Sequence, residues 1–305
     1  MSGSAEALMT EVRALVRERR ATILAHNYQA AEVQAVADVV GDSLELARLA
    51  AASDAEVIVL AGVRFMAETA AILAPDKTVL LPVPEAGCPM ADMITAEQLA
   101  AWKAGNPGVP VVMYVNSSAE VKALTDVCCT SANAVEVVRS LGVSRVLFGP
   151  DRNLGRWVAG QVSEVEVSVW DGCCPVHDTV SLETVLRARE EHPGAPVIAH
   201  PECRPEVSAE ADAVLSTSQM LRWVEVSDAD TVIVVTEAGL LTGLAKVAPA
   251  KRFVGLTPPM VCADMKLTRL EDVRDALEGM TGRVTVPRDV ADAARASLER
   301  MTSIG

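Results

Sequence analysis

Short runs of β-branched and aliphatic residues alternate with Ala-rich stretches of helical period along the chain. This is the pattern of stacked βα units around parallel sheets. Ala21–Ala25 reads as a strand ending at His26, Gln29–Val40 as a helix, and Gly41-Asp42-Ser43 as the start of a second helix through Ala52. Val57–Ala61 is the next strand, Met66–Leu73 the next helix, and Thr78–Val83 a third strand running on to Cys88. The order then recurs. Val109–Met113 is a strand before Tyr114, Cys129-Thr130-Ser131 opens a helix, and Arg145–Phe148 is a strand. Leu154–Ala159 is a helix and Val165–Trp170 a strand leading to Cys173-Cys174. A third copy has Val197–Ala199 before His200, a helix start at Ser216-Thr217, strands at Thr231–Val235 and Phe253–Leu256, then Cys262.

Three sets of landmarks share one period. His26, Tyr114 and His200 are 88 and 86 residues apart, as are Ser43, Ser131 and Thr217, while Cys88, Cys174 and Cys262 are 86 and 88 apart. A fixed period of this kind marks a repeated structural unit. The expected fold is α/β, with three homologous αβα (Rossmann-like) lobes and short parallel sheets around a pseudo-threefold axis. The lobes span 1–104, 105–191 and 192–276, with the C-terminal stretch 277–305 packed on the first.

Composition narrows the chemistry. Half of the 305 residues are apolar and only 3% aromatic, so the core is Ala, Val, Leu and Ile. With 27 basic and 41 acidic residues, the net charge of −14 argues against nucleic acid or an anionic membrane as partner. No apolar run reaches the ~18–20 residues of a membrane span, and the charged N-terminal helix lacks the marks of a signal peptide. A soluble cytoplasmic protein is expected. In a reducing cytosol its seven cysteines point to metal binding or catalysis rather than structural disulfides.

One cysteine per lobe, meeting on the axis, makes a three-thiolate site for zinc or an iron–sulfur cluster, and spacing does not choose between them. The Ser43, Ser131 and Ser216-Thr217 set opens helices. Such residues are ordinary caps, but three helix starts aimed at one axis also suit a carboxylate or phosphate. His26, Tyr114 and His200 follow strand ends, where α/β sheets bind ligands, and their types suit acid–base work. His177 lies three residues after Cys174, and Glu202 adds a carboxylate two after His200. Rival readings are a zinc-dependent hydrolase, an iron–sulfur redox sensor and a small-anion binding protein.

Ordered motifs then carry a resemblance. AHNYQ at 25–29, GDSLELAR at 41–48, AGCPMAD at 86–92 and MYVNSSAEVKALTDVCCTSANAV at 113–135 resemble the quinolinate synthase family of NAD biosynthesis. So do GPDRNLG at 149–155, WDGCCPVHD at 170–178, AHPEC at 199–203, LSTSQM at 215–220, TEAGL at 236–240 and VCADMK at 261–266. The resemblance implies one 4Fe–4S cluster per chain held by Cys88, Cys174 and Cys262. It implies condensation of iminoaspartate with dihydroxyacetone phosphate to quinolinate, with a functional link to L-aspartate oxidase. His26, Tyr28, Tyr114 and Asn116 match positions that contact substrate or intermediate. Ser43, Ser131, Ser216 and Thr217 match residues that hold carboxylates. His177, His200 and Glu202 match the residues on the cluster side, where protons move. Cys128 and Cys129 read as packing residues at a helix start, and Cys203 has no assigned role.

Overall fold

The structure is a computed structural model and describes residues 3–304. The first two residues of the expected N-terminal helix, and Gly305, lie outside the described residues. The first unit comprises α1 (Gly3–Glu18), β1 (Ala21–His26), α2 (Ala31–Val36), β2 (Val39–Gly41), α3 (Ser43–Ala52), β3 (Val57–Ala61), α4 (Arg64–Leu73) and β4 (Thr78–Leu80). The second repeats that order with α5 (Ala96–Ala104), β5 (Val111–Tyr114), α6 (Ala119–Ala123), β6 (Val127–Cys129), α7 (Ala134–Ser140), β7 (Arg145–Gly149), α8 (Arg152–Gln161) and β8 (Glu166–Val169). A short α9 (Pro175–Asp178) leads to the third. Its elements are α10 (Leu182–Glu191), β9 (Val197–Ala199), α11 (Pro205–Glu210), β10 (Ala213–Val214), α12 (Thr217–Val226), β11 (Thr231–Val235), α13 (Leu240–Val247) and β12 (Arg252–Gly255). Helices α14 (Leu270–Gly279) and α15 (Arg288–Ser303) follow.

Each unit holds one parallel four-stranded sheet in the same order: β2-β1-β3-β4, β6-β5-β7-β8 and β10-β9-β11-β12. The fold is therefore α/β, built of three αβα units. Strands such as β3 are buried along their whole length, as helices on both faces require. Strand order reverses beside β1, β5 and β9, and α/β sheets bind ligands outside the carboxyl ends of strands at such a switch point. His26 and Tyr114 are the last residues of β1 and β5, and His200 directly follows β9.

The edge strands β2, β6 and β10 are too short for periodicity to register. Val39 and Val40 read as the tail of a helix over 29–40 and Gly41 as the start of the next, yet the helix covers only Ala31–Val36 and Val39–Gly41 pairs with β1, His26 opposite Gly41. Cys128 and Cys129 do not flank a helix start. They are fully buried in edge strand β6, where Cys129 pairs with Tyr114, and α7 begins only at Ala134. Pairing to a central strand, rather than any pattern of their own, makes these residues strands.

The C-terminal segment ties units together. Helix α14 packs on α1, and Arg19 of the first unit donates to the carbonyls of Leu277 and Glu278. Gly282, at φ +70°, brings the chain alongside β4, where Leu81 N–H donates to its carbonyl. Helix α15 lies on α3 and α4 of the first unit and on α6 and β6 of the second. Arg48 donates to the carbonyls of Thr302 and Ile304, and Asn133 to those of Met301 and Ile304.

Candidate active site

Where the three units meet, a cavity opens. The chain has only two tyrosines and four histidines, yet both tyrosines and three histidines line this one space. Imidazoles and phenols serving as scattered core filler would not gather in this way. Cys88, Cys174 and Cys262, one from each unit, line it too. All seven cysteines are free thiols. Cys128, Cys129 and Cys203 are buried in apolar clusters away from the cavity wall, and Cys173 points elsewhere beside Cys174.

Each residue singled out from the sequence lines the cavity except Ser216. The Ser216 hydroxyl caps α12, accepting from Gln219 N–H, while the Gln219 side chain accepts from Ser216 N–H. This reciprocal capping box occupies the hydroxyl at the helix end, and Thr217 takes the place at the cavity. Ser43 is the first residue of α3, but the cap there is Asp42, which accepts from the N–H groups of Leu44 and Glu45. Ser131 stands in the turn before α7 rather than at its first residue. Three hydroxyls from three units thus converge with two helix starts, a setting that favours an anion. Asn116 adds a side-chain oxygen that is buried without a hydrogen-bond partner, an acceptor suited to a donor on a ligand.

A hydrogen-bonded path crosses the units. Tyr28 Oη lies 2.6 Å from Thr236 Oγ1, which lies 2.9 Å from His177 Nε2. His177 Nδ1 lies 2.8 Å from Glu202 Oε2 and 3.2 Å from Cys174 Sγ. Tyr114 donates to Glu202 Oε1 at 2.7 Å. His200 Nδ1 accepts from Glu202 N–H at 3.3 Å, leaving its Nε2–H to donate to Ser131 Oγ at 3.2 Å. His26 Nδ1 accepts from Tyr28 N–H at 3.1 Å. Both rings therefore carry the proton on Nε2 when neutral. Thr236 is the member that sequence reasoning missed, because a threonine just past a buried strand is unremarkable by type.

Burial sets the charge states. It drives the His26 pKa down to about 3 and that of His200 down to about 4, in both cases against the pull of Glu202. Burial likewise raises both phenols well above 10, Glu202 adding to the effect. For Glu202 burial disfavours the charge, but His200, His177 and the bonds from His177 and Tyr114 overcome it and hold the carboxyl well below its usual range. The result is one carboxylate among buried phenols and imidazoles, an arrangement suited to moving protons.

The donor set fits a metal centre. Burial pushes the Cys88 thiol up to about 12 and Cys174 well above 9, each reinforced by Glu202. Such thiols keep their protons unless a cation replaces them, which is the role of a metal. Cys88, Cys174 and Cys262 are the thiols that would hold such a metal at the cavity wall. In addition, donor atoms of Cys174, His177 and Glu202 lie within 4.8 Å of one another, a group that could hold a metal ion.

Comparison with known proteins places the chain in a family. The quinolinate synthase of Geotalea uraniireducens is 52% identical over 294 residues, covering 96% of each chain. That of Methanoregula boonei is 52% identical over 297 residues, 97% of this chain and 98% of the relative. That of Dehalococcoides mccartyi is 52% identical over 299 residues, 98% and 99% of the two chains. Residues 10–303 match the family described as quinolinate synthetase A protein. With nearly its whole length matched and its repeats meeting at a single site, the chain belongs to the quinolinate synthase family, enzymes of NAD biosynthesis.

Proposed function

We propose that this enzyme condenses iminoaspartate with dihydroxyacetone phosphate to quinolinate, releasing phosphate and two waters. The observation that carries the reading is the cavity wall itself. One cysteine from each repeat shares it with both tyrosines, three histidines, Glu202 and hydroxyls from all three units. In this reading Cys88, Cys174 and Cys262 hold one 4Fe–4S cluster. When bound, a cluster with one iron free of protein ligands supplies Lewis-acid polarisation of a substrate oxygen. Ser43, Ser131 and Thr217 bind the carboxylates, and Asn116 accepts from a substrate donor. Holding both substrates in one cavity supplies much of the acceleration. His26, Tyr28, Tyr114, His177, His200 and Glu202 move protons for imine formation and dehydration. The seven free thiols suit a reducing compartment such as the cytoplasm. L-aspartate oxidase would make the unstable iminoaspartate.

Anaerobic incubation with both substrates, followed by product analysis, tests the reaction. Replacing Cys174→Ser should abolish both cluster absorbance and quinolinate formation, and retained activity would overturn the assignment. The close Cys174–His177–Glu202 group supports one alternative, a zinc centre. Metal analysis separates the two: about four irons with acid-labile sulfide per chain, or one zinc.

A further inference from the structure

Outside the cavity's acid–base set, two buried carboxylates hold the loops that carry cysteines. The three units share one backbone bond beside the site. Arg64 N–H donates to Ala86 O, Arg152 N–H to Gly172 O, and Ala238 N–H to Met260 O. In every case the acceptor stands two residues before that unit's cysteine and the donor stands just after the third strand in the unit. The residues preceding these donors, Val63, Asp151 and Glu237, are therefore structural equivalents.

In two units this position is a carboxylate, with both oxygens engaged. Asp151 Oδ1 accepts from Leu154 N–H at 2.8 Å in the first turn of α8, while Oδ2 accepts from Cys174 N–H at 3.0 Å. Glu237 Oε2 accepts from Gly239 N–H at 2.6 Å, while Oε1 accepts from Cys262 N–H at 3.2 Å. Both residues are 0% exposed. Capping alone would explain one oxygen of Asp151. It does not explain the second oxygen, nor Glu237, since the cap of α13 is Gly239. Val63 cannot accept such a bond. In its unit the amide beside the cysteine, Gly87 N–H, is instead held at 3.1 Å by Asp264, which lies two residues past Cys262 in the third unit. Lys266 balances the Glu237 charge at 2.9 Å.

We propose that Asp151 and Glu237 are positioning residues that lock the backbones of the Cys174 and Cys262 loops, with Asp264 doing so for Cys88. The three thiols are thereby preset before any metal arrives. The geometry explains why thiols on three separate loops, carried by three separate sheets, can present one donor set. A loop free to sample several conformations would lose conformational entropy on capturing metal, and a prefixed loop loses little. The proposal rests on the reading of these three cysteines as ligands.

Two measurements test it separately from that reading. In metal-free protein, amide hydrogen exchange should rise at least tenfold at Cys174 in Asp151→Ala and at Cys262 in Glu237→Ala, each variant leaving the other cysteine's amide protected. In anaerobically reconstituted protein, each variant should release iron to a chelator several-fold faster than wild type. Glu237→Gln, which keeps an acceptor oxygen, should fall between Glu237→Ala and wild type. Asp151→Asn serves in the same way if Asp151→Ala does not fold. Unchanged exchange at both cysteine amides, or iron release as slow as wild type in both variants, overturns the positioning role. A wild-type chain that takes up no iron and sulfide overturns the ligand reading instead, and the exchange measurement still judges whether the carboxylates fix the loops.

Discussion

Thr236 offers the sharpest test of the hydrogen-bonded path. Thr236→Val keeps the shape of the side chain and removes one hydroxyl, the atom between Tyr28 Oη and His177 Nε2. Tyr28 is 9% and His177 1% exposed, so neither finds ready solvent. A buried polar group left without a partner costs about 1–3 kcal/mol. Two such groups lower the unfolding free energy by about 2–6 kcal/mol, against a total of about 5–15 kcal/mol for a native protein. Thr236 does not line the cavity, so substrate affinity should change by less than about threefold, below 1 kcal/mol. Proton transfer through a positioned group contributes about 10²–10⁴ in rate. With the path cut, turnover should fall about 100-fold, at the lower end of that range. Thr236→Ser should restore most of it. The assay is anaerobic formation of quinolinate, the proposed product, with kcat and KM measured separately. A folded Thr236→Val enzyme with kcat within threefold of wild type would refute the path, and a rise in KM alone would assign Thr236 to binding.

Acid should destabilise the metal-free chain through its buried histidines. His26 and His200 titrate at about 3 and about 4 when folded, against 6.5 ordinarily. The unfolded chain therefore takes up protons first as pH falls. The stability is complete above about pH 6.5, and at pH 5 the two together remove about 4 kcal/mol. Urea titrations at pH 7.5 and 5.0 measure this, and an equal acid shift in a His26→Asn/His200→Asn variant would contradict it. Gly282→Ala should cost about 2–3 kcal/mol, because φ is +70° and a Cβ would lie 2.1 Å from Leu81 O. A denaturation midpoint matching wild type would show that this turn relaxes. Asn133→Ala should cost about 1–3 kcal/mol and speed amide exchange over 301–304, since its side chain donates to Met301 O and Ile304 O. Unchanged exchange there would show that the end of α15 is held by other contacts.

Much of this architecture can be read from periodicity. Val57–Ala61, Val197–Ala199 and Thr231–Val235 coincide with β3, β9 and β11, because long apolar runs and buried strands are the same thing in an α/β sheet. The shared period places the cavity residues at matching points of three units. What periodicity misses is whatever depends on a partner distant in sequence. Edge strands β2, β6 and β10 exist through pairing with β1, β5 and β9. Thr236, Asp151 and Glu237 are ordinary by type and acquire their roles only when strand ends meet the loops of the cysteines. Ser216 shows the converse: a hydroxyl at the expected helix start is taken up by Gln219, and its neighbour Thr217 takes the place at the cavity.

Linking the repeats in one chain has a consequence for molecular recognition. Three separate copies of a single unit, associated as a ring, would be bound to identical side chains at every equivalent point. Such a ring could distinguish top from bottom but not one side of its axis from another. Here the equivalent points have diverged: His26, Tyr114 and His200 face one space, and Val63, Asp151 and Glu237 each precede the donor of the shared backbone bond. A carboxylate such as Glu202 occurs once around the axis, while the equivalent points 86 and then 88 residues earlier are Asn116 and Tyr28. Covalent continuity thus lets a nearly threefold frame hold a molecule with no symmetry at all, each of its ends meeting a different chemical face.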